Sequence, residues 1–224
     1  HQKIAKGAGG NPDDSELGEI RRSIVVSPDA QICGQCHSQG ITTEKDHPYP
    51  VSYRPGQDLA QAFTLSEPND SAHWRASGHA ASQNMQYNEW LQSKHATSLT
   101  SLKNSTYAED SCLECHSADY RLTEQMRVAQ AAGDRGGDAP VPVSLTTAQF
   151  GVTCTSCHDL HGDETQNYQL SAEPYALCVS CHADDRLVGV HNPVKEMFEG
   201  EPVIDKIAGV PSKHFVEGVK CTTC

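Results

Sequence analysis

The sequence is poor in apolar residues and has no long hydrophobic run. Only 37% of its 224 residues are hydrophobic and 6% are aromatic. This is little for a chain that must bury apolar surface to offset its conformational entropy on folding. No stretch approaches the ~20 apolar residues of a membrane-spanning helix, so we expect no transmembrane segment in this chain. The composition favours an interior that is completed by bound apolar groups.

Positive charge is also scarce. The chain carries 17 Lys and Arg against 29 Asp and Glu, which gives a formal net charge of −12. The phosphate backbone of a nucleic acid would repel such a surface, so we expect no nucleic-acid partner. The charge favours solubility and basic partners.

The sequence has no cysteine outside a Cys-x-x-Cys pair. Cysteines with only two residues between them rarely form a structural disulfide bond with each other, which disfavours a disulfide framework. The five pairs are Cys33 and Cys36, Cys112 and Cys115, Cys154 and Cys157, Cys178 and Cys181, and Cys221 and Cys224.

A histidine directly follows each of the first four pairs. Cys-x-x-Cys-His is the attachment pattern of a c-type haem, in which both thiols form thioethers and the histidine binds iron from the proximal side. Paired cysteines can also hold zinc or act as a redox dithiol, but neither explains the adjacent histidine. The sequence therefore predicts four haem c groups. Their proximal ligands are His37, His116, His158 and His182.

The fifth pair ends at Cys224, one residue before the expected histidine. We expect that the sequence is a fragment or that its C-terminus was not resolved, and that a fifth haem binds here.

A second histidine, His161, lies three positions after His158 in the stretch GVTCTSCHDLHG. From there it cannot easily reach the distal side of the same haem. We predict that it binds the iron of a neighbouring haem.

Residues 71–102 form the longest helical candidate, with Asp70 or Ser71 as its cap. It carries His79 and His95, sixteen residues apart, and Gly78 suggests that it divides into two helices. On a single helix these histidines would point about 160° apart, so they are predicted to serve different haems.

The remaining histidines are numerous enough to provide one distal ligand for the iron of every predicted haem. The favoured distal ligands are His79, His95, His161, His191 and His214. The spare histidines are His1, His47 and His73. Two imidazoles on each iron leave no open position for a substrate and favour low potentials, so the predicted task is electron transfer.

The predicted fold is mostly α with long loops and little sheet, with short helices wrapped around a stack of covalently bound haems. Residues 1–32 are expected to form an exposed arm that ends in a strand-like segment, and residues 33–224 a single multihaem domain. The proline-rich stretch 40–69 is predicted to be loop, and 122–132 a helix. A short helix is predicted after Asn192.

Several of these motifs resemble the multihaem c-type cytochromes related to hydroxylamine oxidoreductase and the pentahaem nitrite reductases. They are CGQCHSQG, the pair SGHA and WLQSKHA, GVTCTSCHDLHG, and HNPVKEMFEG with VPSKHF and VKCTTC. The resemblance covers most of residues 33–224 and implies that His79, His95 and His161 are distal ligands to other haems. That family includes reductases, oxidases and electron carriers.

The chain departs from the catalytic members of that family. The nitrite reductases carry a Cys-x-x-Cys-Lys motif, whereas none of the four complete motifs here ends in lysine and the fifth stops at the deciding position. There is also no reliable match to the tyrosine that cross-links the active haem of hydroxylamine oxidoreductase.

Three hypotheses follow from these observations. The first is an electron-transfer cytochrome with redox proteins or extracellular electron acceptors as partners. Organisms with such cytochromes attach haem outside the cytoplasmic membrane, so we expect a periplasmic or extracellular protein that has lost its leader. The alternative is a catalytic reductase of the nitrite, hydroxylamine or tetrathionate type, or a fragment of one. A third, compatible with the first, is a homo-oligomer or filament in which a histidine such as His1 or His47 ligates a haem of the next subunit.

Overall fold

The computed structural model describes residues 27–133, 139–159, 167–183, 194–201, 208–219 and 221. The chain divides into two compact units, residues 1–153 and 154–224. The division predicted from the sequence, an arm over 1–32 and one domain over 33–224, stays a prediction. Short helices make up most of the described regular structure, and the predicted fold class, mostly helical with little sheet, is confirmed.

The first unit contains six described α-helices and one two-stranded sheet. In chain order these are α1 (Ala30–Gly34), β1 (Gly40–Thr42), α2 (Leu59–Ala62), β2 (Phe63–Leu65), α3 (Gln86–Gln92), α4 (Ser98–Lys103), α5 (Leu113–His116) and α6 (Ala118–Ala131). A 3-10 turn, Asp110–Cys112, leads into α5.

Residues 27–65 are more regular than the sequence predicts, whereas the predicted strand-like segment, residues 24–26, lies outside the described residues. Helix α1 begins at Ala30, inside the predicted arm, because the Asp29 carboxylate accepts the Gln31 amide. Strands β1 and β2 pair antiparallel within the predicted loop 40–69, with Gly40 opposite Leu65. A side chain at Gly40 would place its Cβ 2.2 Å from the Thr64 carbonyl oxygen, so glycine is required at this register.

The prediction of helix from residue 71 is wrong. Trp74 and Ala80 form an antiparallel bridge, and the chain between them turns back at Gly78, whose φ is +85°. Helix begins only at Gln86. Bonds across the turn hold it closed: the Arg75 amide donates to the His79 carbonyl at 2.8 Å, and the Ala81 amide donates to the His73 carbonyl at 2.7 Å.

Helix α6 begins at Ala118, four residues before the predicted start, because the Ser117 hydroxyl accepts the Tyr120 amide. A buried apolar cluster lies beneath it and α4. Its members are Leu99, Leu102, Leu113 and Ala148.

The second unit contains three described α-helices and two 3-10 turns. The helices are α7 (Pro174–His182), α8 (Val194–Glu199) and α9 (Lys213–Val216), and the turns are Cys154–Ser156 and Asn167–Gln169. The Ser212 hydroxyl caps α9 by accepting the Phe215 amide. The Phe198 ring lies between those of Tyr175 and Phe215, at centroid distances of 6.1 and 5.4 Å. The predicted cap of α8, Asn192, lies outside the described residues.

No helix in the described segments combines the length and the apolar character that a membrane crossing needs.

Candidate haem-attachment sites

The first Cys-x-x-Cys-His motif forms a single helical turn. The carbonyl oxygen of Cys33 accepts the amide of Cys36 at 3.1 Å and that of His37 at 2.9 Å. Residues three and four apart on a helical turn lie on the same side. The turn therefore presents both thiols and the imidazole toward one face, as attachment to a single porphyrin requires.

The other three complete motifs have the same local structure. The Cys154 carbonyl accepts the amides of Cys157 and His158 at 3.2 and 2.9 Å. The second motif runs from the 3-10 turn that ends at Cys112 through α5, which ends at His116. The fourth occupies the last five residues of α7, which end at His182.

Cysteines of the described segments form no disulfide bond with one another. Burial raises the pKa of the Cys178 thiol, and the neighbouring thiols of Cys221 and Cys157 raise it further. The Cys221 thiol is close enough to raise the pKa of the Cys178 thiol, so the start of the fifth pair lies beside the fourth motif. Cys224 lies outside the described residues.

Three proximal histidines have their Nδ1 atom beside an oxygen acceptor. For His37 the acceptor is the Gln86 side-chain oxygen at 3.3 Å, and for His116 it is the Ser98 carbonyl oxygen at 3.1 Å. The His158 Nδ1 lies 2.8 Å from the carbonyl oxygen of Tyr168.

These contacts determine which ring nitrogen can bind a metal. An imidazole that donates its Nδ1–H to an oxygen keeps the lone pair on Nε2, and such a bond orients the ring and strengthens it as a ligand. Two thiols on one helical turn with an Nε2 lone pair beside them fit a c-type haem. The acceptors could not be recognised in the sequence, since they lie 49, 18 and 10 residues from their histidines.

The acceptor of His158 lies in a strained turn. Tyr168 and Gln169 have φ values of 60° and 53°, in the left-handed region that costs non-glycine residues on the order of 1 kcal/mol each. The Asp159 amide donates to the Gln169 carbonyl at 2.8 Å, and His158 forms a bridge with Leu170. This unfavourable backbone aims the Tyr168 carbonyl at the imidazole.

One segment, α3 with α4, provides the acceptors for two motifs. Gln86 is the first residue of α3 and Ser98 the first of α4, and the Trp90 indole N–H between them donates to the Val152 carbonyl at 2.8 Å. The ring of Tyr87 stacks on that of Trp90 at a centroid distance of 5.6 Å.

The distal candidates lie on turns or short helices. His79 is exposed in the turn that Trp74 and Ala80 close, and His95 is exposed between α3 and α4. Since they share no helix, the predicted angle of about 160° between them does not apply. His214 is exposed on α9. His161 and His191 lie outside the described residues.

The spare histidines differ from one another. His47 is exposed beside the Tyr49 ring, at a centroid distance of 5.8 Å. His73 is half-buried, and its Nδ1 atom is buried without a hydrogen-bond partner. His1 lies outside the described residues. The assignment of distal ligands stays a prediction.

Comparison with known proteins gives a consistent picture. A family model described as a doubled CXXCH motif matches residues 148–187. The structure is similar to the outer cell wall cytochrome OcwA, with a TM-score of 0.71 and 30% identity over 92% of this chain and 43% of that one. An undecahaem cytochrome from the S-layer of Carboxydothermus ferrireducens is 23% identical over 86% of this chain and 36% of its own, with a TM-score of 0.46. No curated protein matches the sequence.

The four motifs, their geometry and the likeness to OcwA define the class. The chain is a multihaem c-type cytochrome, and its Cys-x-x-Cys-His turns bind haem c. It spans less than half the length of either cytochrome to which its structure is similar.

Proposed function

We propose that this protein transfers electrons through a row of c-type haems, each held between two histidines. The observation that carries the proposal is the contact of Nδ1 with an oxygen in three proximal histidines, which leaves Nε2 of His37, His116 and His158 as the nitrogen that would bind iron. A c-type haem supplies a one-electron couple. The residues of this chain hold it by two thioethers and an oriented imidazole, which favours a change of oxidation state without a change of ligands.

The proposed distal ligands are those predicted from the sequence. His79, His95 and His214 are exposed on three separate elements of the chain. His161 and His191 complete the proposed set. With both axial positions occupied by imidazole, no iron offers a place for a substrate, and the protein is not an enzyme under this proposal.

The proposed location is outside the cell or in the periplasm. OcwA is described as an outer cell wall cytochrome. Organisms that make multihaem cytochromes attach the haem outside the cytoplasmic membrane, which supports the same location. Its partners would be redox proteins or extracellular electron acceptors, and the net charge of −12 favours those with a basic docking surface.

Electron paramagnetic resonance of the haem-loaded protein tests the ligand set. We expect only low-spin ferric signals, and one new high-spin haem for each of His79→Ala, His95→Ala and His214→Ala. Gln92→Ala, which removes an exposed side chain that is not a candidate ligand, is the control and should leave all haems low-spin. A high-spin haem in the unaltered full-length protein would contradict the proposal.

The resemblance to the hydroxylamine oxidoreductase and nitrite reductase cytochromes motivates the second candidate, a catalytic reductase. Turnover of nitrite, hydroxylamine or tetrathionate by full-length protein with a reduced dye would favour it. The filament hypothesis is tested separately by the mass of the haem-loaded protein in solution. If His47 ligates a neighbouring subunit, His47→Ala should convert a polymer to monomers.

A further inference from the structure

The three described Nδ1 acceptors are of two chemical kinds. His116 and His158 face backbone carbonyl oxygens, whereas His37 faces the side-chain amide oxygen of Gln86. A backbone carbonyl is unchanged by substitution of its residue. The acceptor at His37 is therefore determined by the choice of one side chain.

Backbone contacts hold Gln86 in place. The Tyr87 amide donates to the His37 carbonyl at 2.9 Å. The side chain of Asn88, 2% exposed, accepts the Gln39 amide at 2.9 Å and donates to the Gln39 carbonyl at 3.0 Å. These three bonds fix the first turn of α3, directly after Gln86, against His37 and Gln39.

We infer that Gln86 is a positioning residue for the haem of the first motif, and that its side chain sets the reduction potential of that haem. The inference rests on haem binding at this motif and on the proposed function. The Gln86 oxygen accepts the Nδ1–H of His37, which orients the ring and raises the basicity of Nε2. A more basic ligand stabilises ferric iron over ferrous iron, so a stronger acceptor at position 86 lowers the potential.

The expected size follows from the chemistry of the acceptor. Replacement of the neutral amide by a carboxylate makes the bond charge-assisted, which roughly doubles its strength. We expect Gln86→Glu to raise the ferric-to-ferrous ratio of this haem about tenfold at a fixed electrode potential, which corresponds to a potential lower by ~59 mV. Gln86→Leu should raise the potential of this haem, and by less, because the contact of His37 with Gln86 is exposed and water can replace the lost acceptor.

The experiment is a spectroelectrochemical titration of the haem-loaded protein, with dithionite as the reductant. Gln92→Glu is the matched control. It makes the same change of charge at the last residue of α3, on an exposed side chain. We expect the midpoint potential of one Nernstian component to fall in Gln86→Glu. In Gln92→Glu the same potential should fall by only a fraction of that amount. The hyperfine-shifted Nδ1–H resonance of His37 in the proton spectrum of the ferric protein assigns the component, and its solvent exchange should be faster in Gln86→Leu.

Two results would overturn the inference. An equal shift in Gln86→Glu and Gln92→Glu would show that only the added charge acts, without a bond to His37. An unchanged component in both Gln86 variants would show that Gln86 does not accept from the imidazole. The potential of the haem is measured without any redox partner, so failure of the proposed electron-transfer role would leave this test intact.

Discussion

Gly34→Ala tests the packing that supports the first haem motif. Gly34 lies between the two cysteines of the motif, in α1, and faces α2 and α3. A Cβ at this position would lie 2.9 Å from Leu59 Cδ2 and 2.9 Å from Tyr87 Cγ, closer than such atoms approach in proteins. Leu59 is 2% exposed and Tyr87 7% exposed, so neither side chain has free space to move into.

The magnitude follows from two opposing terms. Overpacking of a filled interior costs about 1–3 kcal/mol. Alanine regains up to ~1 kcal/mol over glycine in a helix. Subtraction of the alanine gain from the middle of the overpacking range leaves about 1 kcal/mol, so we expect Gly34→Ala to lower the free energy of unfolding by about 1 kcal/mol. At roughly 2–4 °C per kcal/mol for a chain of this size, the Tm should fall by about 2–4 °C.

Thermal unfolding of the haem-loaded protein, followed by far-ultraviolet circular dichroism, measures this change. Gln35→Ala is the control, since it alters the other residue between the same two cysteines without adding an atom that faces Leu59 or Tyr87. A Tm for Gly34→Ala equal to or above that of Gln35→Ala would refute the packing argument. If the argument holds, displacement of Tyr87 should also lengthen the His37–Gln86 contact of 3.3 Å, and the Nδ1–H of His37 should exchange faster.

Three further substitutions test other parts of the structure. Tyr53→Phe should raise the free energy of unfolding by about 1 kcal/mol, because the fully buried Tyr53 hydroxyl has no hydrogen-bond partner; a loss in thermal unfolding would instead reveal a partner. Trp90→Phe removes the bond to the Val152 carbonyl and should cost roughly 0.5–1.5 kcal/mol in the same assay, where an unchanged Tm would contradict the bond. Burial and the bond to Glu199 raise the pKa of Tyr175 from 10.0 to about 12, so the stability it contributes is complete below pH 10 and lost as pH rises to about 12. Tyr175→Phe should weaken that alkaline loss, and an identical pH profile would contradict the pKa shift.

The turns of the haem motifs follow from the sequence alone, whereas the absence of helix between residues 71 and 85 does not. Spacing of i, i+3 and i+4 is itself helical geometry, so Cys33, Cys36 and His37 could be placed on one turn without any knowledge of the fold. The cap predicted at Asp70 also forms, since its carboxylate accepts the Ala72 amide at 3.0 Å. An aspartate makes the same local bond at the start of a helix and in an isolated turn, and here the chain continues into the antiparallel bridge of Trp74 with Ala80.

The orienting acceptors could not be predicted at all. Gln86 and Ser98 carry no pattern that marks them, because what they contact depends on how α3 and α4 pack against distant motifs. The left-handed backbone of Tyr168 could not be predicted for another reason, because nothing in the chemistry of a tyrosine favours that conformation. Each of these features is a property of tertiary structure.

The shared segment from Gln86 to Ser98 limits how the length of the chain can change. Two imidazoles take their acceptors from residues twelve positions apart, so an added or deleted residue between them would rotate one acceptor away from its ring. Loop 43–58, which provides no such acceptor among the described contacts, is free of that restriction. Among cytochromes built on this plan, we expect differences in length to accumulate in such loops while the stretch between these two acceptors keeps a constant number of residues.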